Sequence, residues 1–247
     1  MTDLVVYYGT TMPDRAAATA VTDTDVVLQP YHPVVIRNEY RETFPGARRF
    51  VYVNPTSIDP WRFDRMPVTP PLLEVDDAWS LPRVDLTTSA GWRASIAEAE
   101  WALSPGPDEV DGVFVDDLDR MGPFMAHAFL AELQETLGWA PALFLNRGFD
   151  SWEGTTPAAV LIEDVRGADV AEDDALGIER WVGEVVMPAI LGVRETGSAV
   201  HRIEYADTAS VRDHSEPRLV SELFDSVWMT APRSLDDWPN TLKRNGN

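Results

Sequence analysis

Asp116, Asp117 and Asp119 place three carboxylates within four positions, directly after the apolar run Gly112-Val113-Phe114-Val115. Like charges this close repel one another and resist desolvation, so acids gathered at the end of a buried strand serve catalysis, a cation or a polar ligand. A second apolar run, Ala159-Val160-Leu161-Ile162, ends in Glu163. Asp116 continues its strand without a break, and a lone glutamate after four apolar residues is costly to bury without a partner. These two acids are therefore the candidate pair. Crowding by Asp117 and Asp119 predicts an Asp116 that is harder to ionise than usual, unless Arg147 or a backbone amide offsets them. Asp117 and Asp119 also suit a plainer role, as caps of the next helix.

Such a pair needs a scaffold that brings two separate strand ends together. Short apolar runs rich in Val, Phe and Tyr alternate with helix-like segments, the pattern of a parallel sheet. Strands are expected near 4–8, 25–29, 49–53, 83–87, 112–116, 142–146, 159–163 and 200–205. Most are apolar on consecutive residues, so both faces are covered. The expected architecture is α/β, a single (β/α)8 TIM barrel spanning 1–247. Ser89 is a candidate N-cap for a helix over 90–103, with Trp92, Ile96, Ala99 and Leu103 on one face. Over 123–137 the inward face is read as Phe124, Ala128, Ala131 and Leu137, with Gly138 as C-cap. Helices are also expected over 178–191 and 216–225, a weaker one over 33–44, and at most two turns over 13–20. Ser226-Val227-Trp228-Met229 reads as a ninth strand or a closing extension. The stretch 54–82 carries Pro55, Pro60, Pro67, Pro70, Pro71 and Pro82 and reads as a long proline-rich loop after the third strand. Residues 164–177 form a second, acidic loop on the same rim.

In such a barrel the carboxyl ends of the strands converge on one mouth. The residues expected there are Tyr7 and Tyr8, Gln29, Tyr31 and His32, Asn54, Asp85, Asp116, Asp117 and Asp119, Asn146 and Arg147, Glu163, and Glu204 with Tyr205. Acids, amides and tyrosines together suit a sugar, whose hydroxyls need donors and acceptors and whose faces stack on rings. Glycosidic hydrolysis uses two carboxyl groups, and Asp116 and Glu163 are the expected catalytic residues, with the other positions as substrate contacts. Which of the two is the acid does not follow from the sequence. Two other readings compete: a Mg²⁺ enzyme with Asp116, Asn146 and Glu163 as oxygen ligands, and a carbohydrate- or partner-binding barrel without turnover. The histidines 32, 127, 201 and 214 form no zinc motif, and neither a Gly-x-Ser-x-Gly elbow nor a phosphate loop occurs. The expected reaction needs no metal and no cofactor.

Composition narrows the partners. The net charge is -21 and Lys243 is the only lysine. That field repels nucleic acid and anionic lipid, leaving neutral or cationic partners, a carbohydrate among them. Acidity of this kind also reads as a whole-surface adaptation to high salt. There is no cysteine, hence no disulfide and no thiolate metal site. The N-terminal apolar run is too short for a signal sequence or a membrane span, so the expectation is a soluble chain whose compartment stays open, the cytoplasm slightly favoured.

On these residues the sequence resembles the endo-α-1,4-polygalactosaminidase family of glycoside hydrolases and related glycosidase-like barrels. The family's fifth-strand signature, roughly Gly-Phe-Asp-Gly-Val-x-x-Asp-Asn-x-Asp, is matched by Asp111-Gly112-Val113 and Asp116-Asp117-Leu118-Asp119, with Asp117 in place of the Asn. Asn146, Glu163 and Glu204-Tyr205 match residues that end later strands. The resemblance implies a hydrolase of polysaccharides or glycoconjugates, amino-sugar polymers included, with Asp116 and Glu163 as its catalytic carboxylates. Gln29 stands where the family leads one to expect Asp, and the Cys that often follows the seventh-strand Glu is absent.

Overall fold

The computed structural model describes residues 3–7, 13, 15–58, 69–76, 81–149, 152, 155–163, 180, 182–205 and 224–230. Its elements run β1 (Asp3–Tyr7), α1 (Arg15–Thr19), β2 (Thr22–Leu28), α2 (Val34–Arg37), α3 (Tyr40–Thr43), β3 (Gly46–Val53), β4 (Leu72–Asp76), β5 (Leu81–Val84), α4 (Ser89–Ala102), β6 (Gly112–Val115), α5 (Pro123–Leu137), β7 (Ala142–Asn146), β8 (Ala159–Glu163), α6 (Met187–Glu195), β9 (Ala199–Tyr205) and β10 (Ser226–Thr230). Eight strands form one parallel sheet in the order β1-β2-β3-β6-β7-β8-β9-β10. The first and last strands come into contact, which gives a nearly closed (β/α) barrel.

Period-2 geometry explains the interior. Leu4, Val6, Val27, Phe50, Phe114, Phe144, Ala159, Leu161, Ala199 and Ile203 fill the barrel, while the alternate residues Val5, Val26, Val51, Val113, Leu145, Val160 and Val200 face the helices. Both strand faces are thus apolar, as the consecutive apolar runs predict. Phe50 and Phe114 each meet Phe144 edge to face, at centroid distances of 5.2 and 4.9 Å. This aromatic plug supports whatever lies above it at the mouth.

Several expectations are corrected. The barrel strand expected at 83–87 is absent from the sheet: β5 pairs antiparallel with β4, outside the barrel. Pro82 lacks a donor for a central ladder, and Asp85 turns the chain into α4. The barrel passes directly from β3 to β6, and β10 completes the eight by pairing with β9 (Ser226↔His201). The proline-rich excursion therefore contains a hairpin, with 59–68 and 77–80 outside the described residues.

Thr88, not Ser89, caps α4; its Oγ1 accepts from the Gly91 amide at 3.1 Å. In α5 the buried stripe is Ala126, Phe129, Leu130 and Leu133, while Phe124 is 85% exposed. The stripe expected from Phe124, Ala128 and Ala131 is the solvent side. Gly138 does end α5, in the left-handed region at φ 68°. The 33–44 segment splits into α2 and α3. The helix expected over 178–191 is a π-helical turn at 182–186 that leads into α6, which carries Pro188 in its first turn. The acidic loop 164–177 and positions 216–223 of the last expected helix lie outside the described residues. Among the described residues no helix is long and apolar enough to cross a membrane.

Candidate active site

The site is built by extending the barrel's inward register one step past the aromatic plug. Two residues beyond Phe50, Phe114, Phe144 and Leu161 stand Tyr52, Asp116, Asn146 and Glu163. The alternation of the strands delivers these four side chains to the carboxyl end from neighbouring strands β3, β6, β7 and β8. Asp116 is tied to the sheet by its amide, which donates to the Val53 carbonyl at 2.9 Å.

Three donors converge on the Asp116 carboxylate. Asn146 Nδ2 donates to Oδ1 at 2.6 Å, the Asp117 amide donates to the same oxygen at 2.8 Å, and Tyr52 Oη donates to Oδ2 at 2.9 Å. Burial nevertheless pushes the Asp116 carboxyl up to about 8, with the charges of Asp117 and then Glu163 adding to the rise, while the bonds from Asn146 and Tyr52 act against it. The crowding read from the sequence is therefore present, with Glu163 as the second charged neighbour of Asp116 in place of Asp119. The bonding pattern accommodates the proton: on Oδ2 it points at Tyr52 Oη, whose own hydrogen turns away, and the two N–H donors on Oδ1 stay in place.

Around this core, Asn54 Nδ2 donates to Asp117 Oδ2 at 3.0 Å and reaches Tyr52 Oη at 3.3 Å. Asn54 Oδ1 accepts from the Thr56 amide and hydroxyl and from the Ser57 amide, which fixes the turn out of β3. Asp117 also lies 3.6 Å from Arg120, and Glu163 Oε2 lies 3.8 Å from an Arg147 guanidinium nitrogen. Burial lowers the Arg147 pKa, but the charges of Glu163, Asp119, Asp116 and Asp117 outweigh it, and the net shift is upward. Asp119 is exposed at the edge.

The structure thus brings together Asn54, Asp116, Asp117, Asn146, Arg147 and Glu163, with Asp119 near enough for its charge to act. Other expected contacts are engaged elsewhere. Tyr31 Oη donates to Glu98 of α4 at 2.6 Å, and its ring packs on Trp101. His32 Nδ1 bonds Tyr40 Oη at 2.9 Å, its ring lying 6.3 Å from that of Tyr7. Gln29 is buried, and its carbonyl accepts from Tyr40. Asp85 Oδ1 accepts from the Thr87 amide and hydroxyl, and its carbonyl accepts from Thr88, an arrangement that starts α4. Tyr8 and the side chains of Glu204 and Tyr205 lie outside the described residues.

Tyr52 went unread in the sequence. Its signal was parity: it stands two residues after Phe50 and two before Asn54. Of the oxygen set considered for Mg²⁺, Asn146 turns its Nδ2 to Asp116. Among the described residues no group of three His, Cys, Asp or Glu is arranged to hold a metal. A cavity of about 730 Å³ lies at the opposite, amino-terminal end, lined by Arg48, Gln134, Thr156 and Ser198 among others and by no carboxylate.

No family model and no curated protein matches the sequence. Solved structures do. The glycoside hydrolase domain of PelA from Pseudomonas aeruginosa is 21% identical with a TM-score of 0.68, covering 95% of this chain and 96% of that one. Ega3 of Aspergillus fumigatus, in complex with galactosamine, is 12% identical with a TM-score of 0.61, covering 96% and 92%. The barrel is therefore similar to glycoside-hydrolase barrels along nearly its whole length.

Proposed function

We propose that this chain is a glycoside hydrolase that cleaves a polysaccharide or glycoconjugate, amino-sugar polymers among the candidates, with Asp116 and Glu163 as its paired carboxyl groups. One observation carries the reading: a half-buried Asp116, fixed by Tyr52, Asn146 and the Asp117 amide, lies within electrostatic reach of Glu163 two strands away at the carboxyl end of the barrel. The similarity to the PelA domain and to Ega3 supports the same chemistry.

In such a site Asp116 keeps its proton near neutral pH, through burial and the charges of Asp117 and Glu163. One group protonates the leaving oxygen while the other meets the positive charge that develops at the anomeric carbon or activates water. Tyr52 and Asn146 hold Asp116 in one orientation, so little reorganisation is needed when charge develops. No step in this chemistry calls for a cofactor.

A panel of glycans, including cationic galactosamine polymers and run at several salt concentrations, tests the reading by reducing-end release. Asp116→Asn and Glu163→Gln each preserve side-chain volume and should each lower turnover by about 10²–10⁴-fold with unchanged circular dichroism. Retained turnover in both variants would refute the assignment. The Arg147–Glu163 ion pair at 3.8 Å favours a second reading, a carbohydrate-binding barrel whose acid is blocked. Glycan retention by the wild type with no product formed would decide for that one.

A further inference from the structure

Strands β6 and β7 end in the same unusual way. Asp116 is followed by Asp117 at φ 53°, and Asn146 by Arg147 at φ 55°. In each case an inward residue is succeeded by a side-chain-bearing residue in the left-handed region, which otherwise, among the described non-glycine residues, holds only Asp23. Aspartate tolerates that region because its short side chain bonds locally, whereas arginine has no such compensation.

The surroundings enforce the turn. The Arg147 amide donates to the Leu161 carbonyl at 3.3 Å, and its own carbonyl accepts from Trp152 Nε1 at 2.8 Å. Gly148, at φ 65°, runs so close to the preceding loop that a Cβ there would meet Leu118 Cβ at 2.7 Å and the Asp119 nitrogen at 3.0 Å. A backbone strained and then clamped from three sides marks a side chain whose placement matters. That side chain is a guanidinium set against Glu163 and within the field of Asp119, Asp116 and Asp117, the last also paired with Arg120.

We propose that Arg147 is a positioning residue for Glu163, a cation fixed by a left-handed backbone that orients this carboxylate and holds it charged at neutral pH. Its catalytic meaning rests on the hydrolase reading above; its electrostatic content does not. The titratable and charged groups gathered around the ion pair are Asp116, Asp117, Asp119 and Arg120 from the β6 end and the Tyr52 hydroxyl from β3. The acids oppose a charged Glu163, and Arg147, paired with it at 3.8 Å, favours it.

Arg147→Gly separates side chain from backbone, because glycine suits φ 55° and removes only the cation. In protein labelled with ¹³C at glutamate carboxyls, the Glu163 signal is assigned through Glu163→Gln and titrated in wild type and variant. The expected result is a Glu163 midpoint about one pH unit higher in Arg147→Gly and smaller movement in Arg147→Lys. On a cleaved glycan, kcat falls and the pH–rate limb belonging to Glu163 moves in the same upward direction. An unmoved midpoint in Arg147→Gly overturns the proposal. A moved midpoint in a protein that cleaves no glycan leaves Arg147 as assigned and sinks the hydrolase reading instead.

Discussion

The two ends of this barrel treat an aspartate in opposite ways. At the amino-terminal end, Asp25 of β2 is fully buried and saturated by cationic and imidazole partners: Arg48 grips both oxygens at 2.6 and 2.7 Å, and His201 Nε2 lies 2.8 Å from Oδ2. At the carboxyl end, Asp116 receives, among the described residues, only neutral donors and faces two further acids. The first arrangement pairs its aspartate with cationic and imidazole groups, and the second raises its carboxyl pKa and favours the protonated form. Between them lies the phenylalanine plug.

Removing an acid from each end should therefore have opposite consequences, and the larger belongs to Asp25. The Asp25–His201 bond joins β2 to β9 across the interior, on either side of β1 and β10, which touch but share no ladder among the described residues. Asp25→Ala leaves His201 and Arg48 without their acceptor and should cost about 3–5 kcal/mol in urea unfolding, with turnover per folded molecule unchanged. A loss below about 1 kcal/mol would show that the amino-terminal network holds nothing together.

Asp116→Asn should do the reverse. The carboxyl of Asp116 is raised from its ordinary 3.8 to about 8 in the folded protein. Between those values the folded state keeps a proton that the unfolded chain releases, so wild-type stability falls as pH rises. Below about pH 4 both states are protonated and the effect vanishes. Asparagine escapes this loss, and it fits the donors: its oxygen takes the Asn146 and Asp117 N–H groups, and its Nδ2 donates to Tyr52. The variant should be more stable than wild type at pH 8 and equal to it at pH 4, measured by unfolding across that range. A variant less stable than wild type at pH 8 would erase the contrast between the two ends.

How much of this was legible depended on whether the signal was local. Strand ends Asp116, Asn146 and Glu163 could be read because each acid or amide terminates an unbroken apolar run, and a barrel sends such ends to one mouth. Asp25 was passed over although it precedes Val26-Val27-Leu28, since an acid before an apolar run resembles an ordinary strand entrance until β3 and β9 supply Arg48 and His201. The strand expected at 83–87 failed for a related reason. Val84 and Leu86 are apolar enough for a strand, but Pro82 and the Asp85 turn commit the segment to a hairpin and a helix start. Tyr31 and His32 were placed at the mouth by sequence position alone, whereas partners 67 and 8 residues away, Glu98 and Tyr40, decide where they bond.

The smallest effect concerns the helix whose faces were exchanged. Alanine and leucine recur so often in 123–137 that two stripes satisfy helical periodicity, and the sheet selects the one with Phe129 and Leu133. Phe124 is left 85% exposed on the first turn of α5, just beyond the loop that carries Asp116 and Asp117. A side chain that buries so little contributes little to stability, so Phe124→Ala should change unfolding free energy by less than about 0.5 kcal/mol. Phe129, fully buried and edge-on to Trp92 at 6.1 Å, supplies the internal standard, since Phe129→Ala should cost about 3–5 kcal/mol. Equal losses in the two variants would mean that Phe124 packs in solution and that the exchanged stripe was the right one. A null effect at 124 beside a large one at 129 fixes the helix's rotation and leaves an unburied ring at the carboxyl end of the barrel.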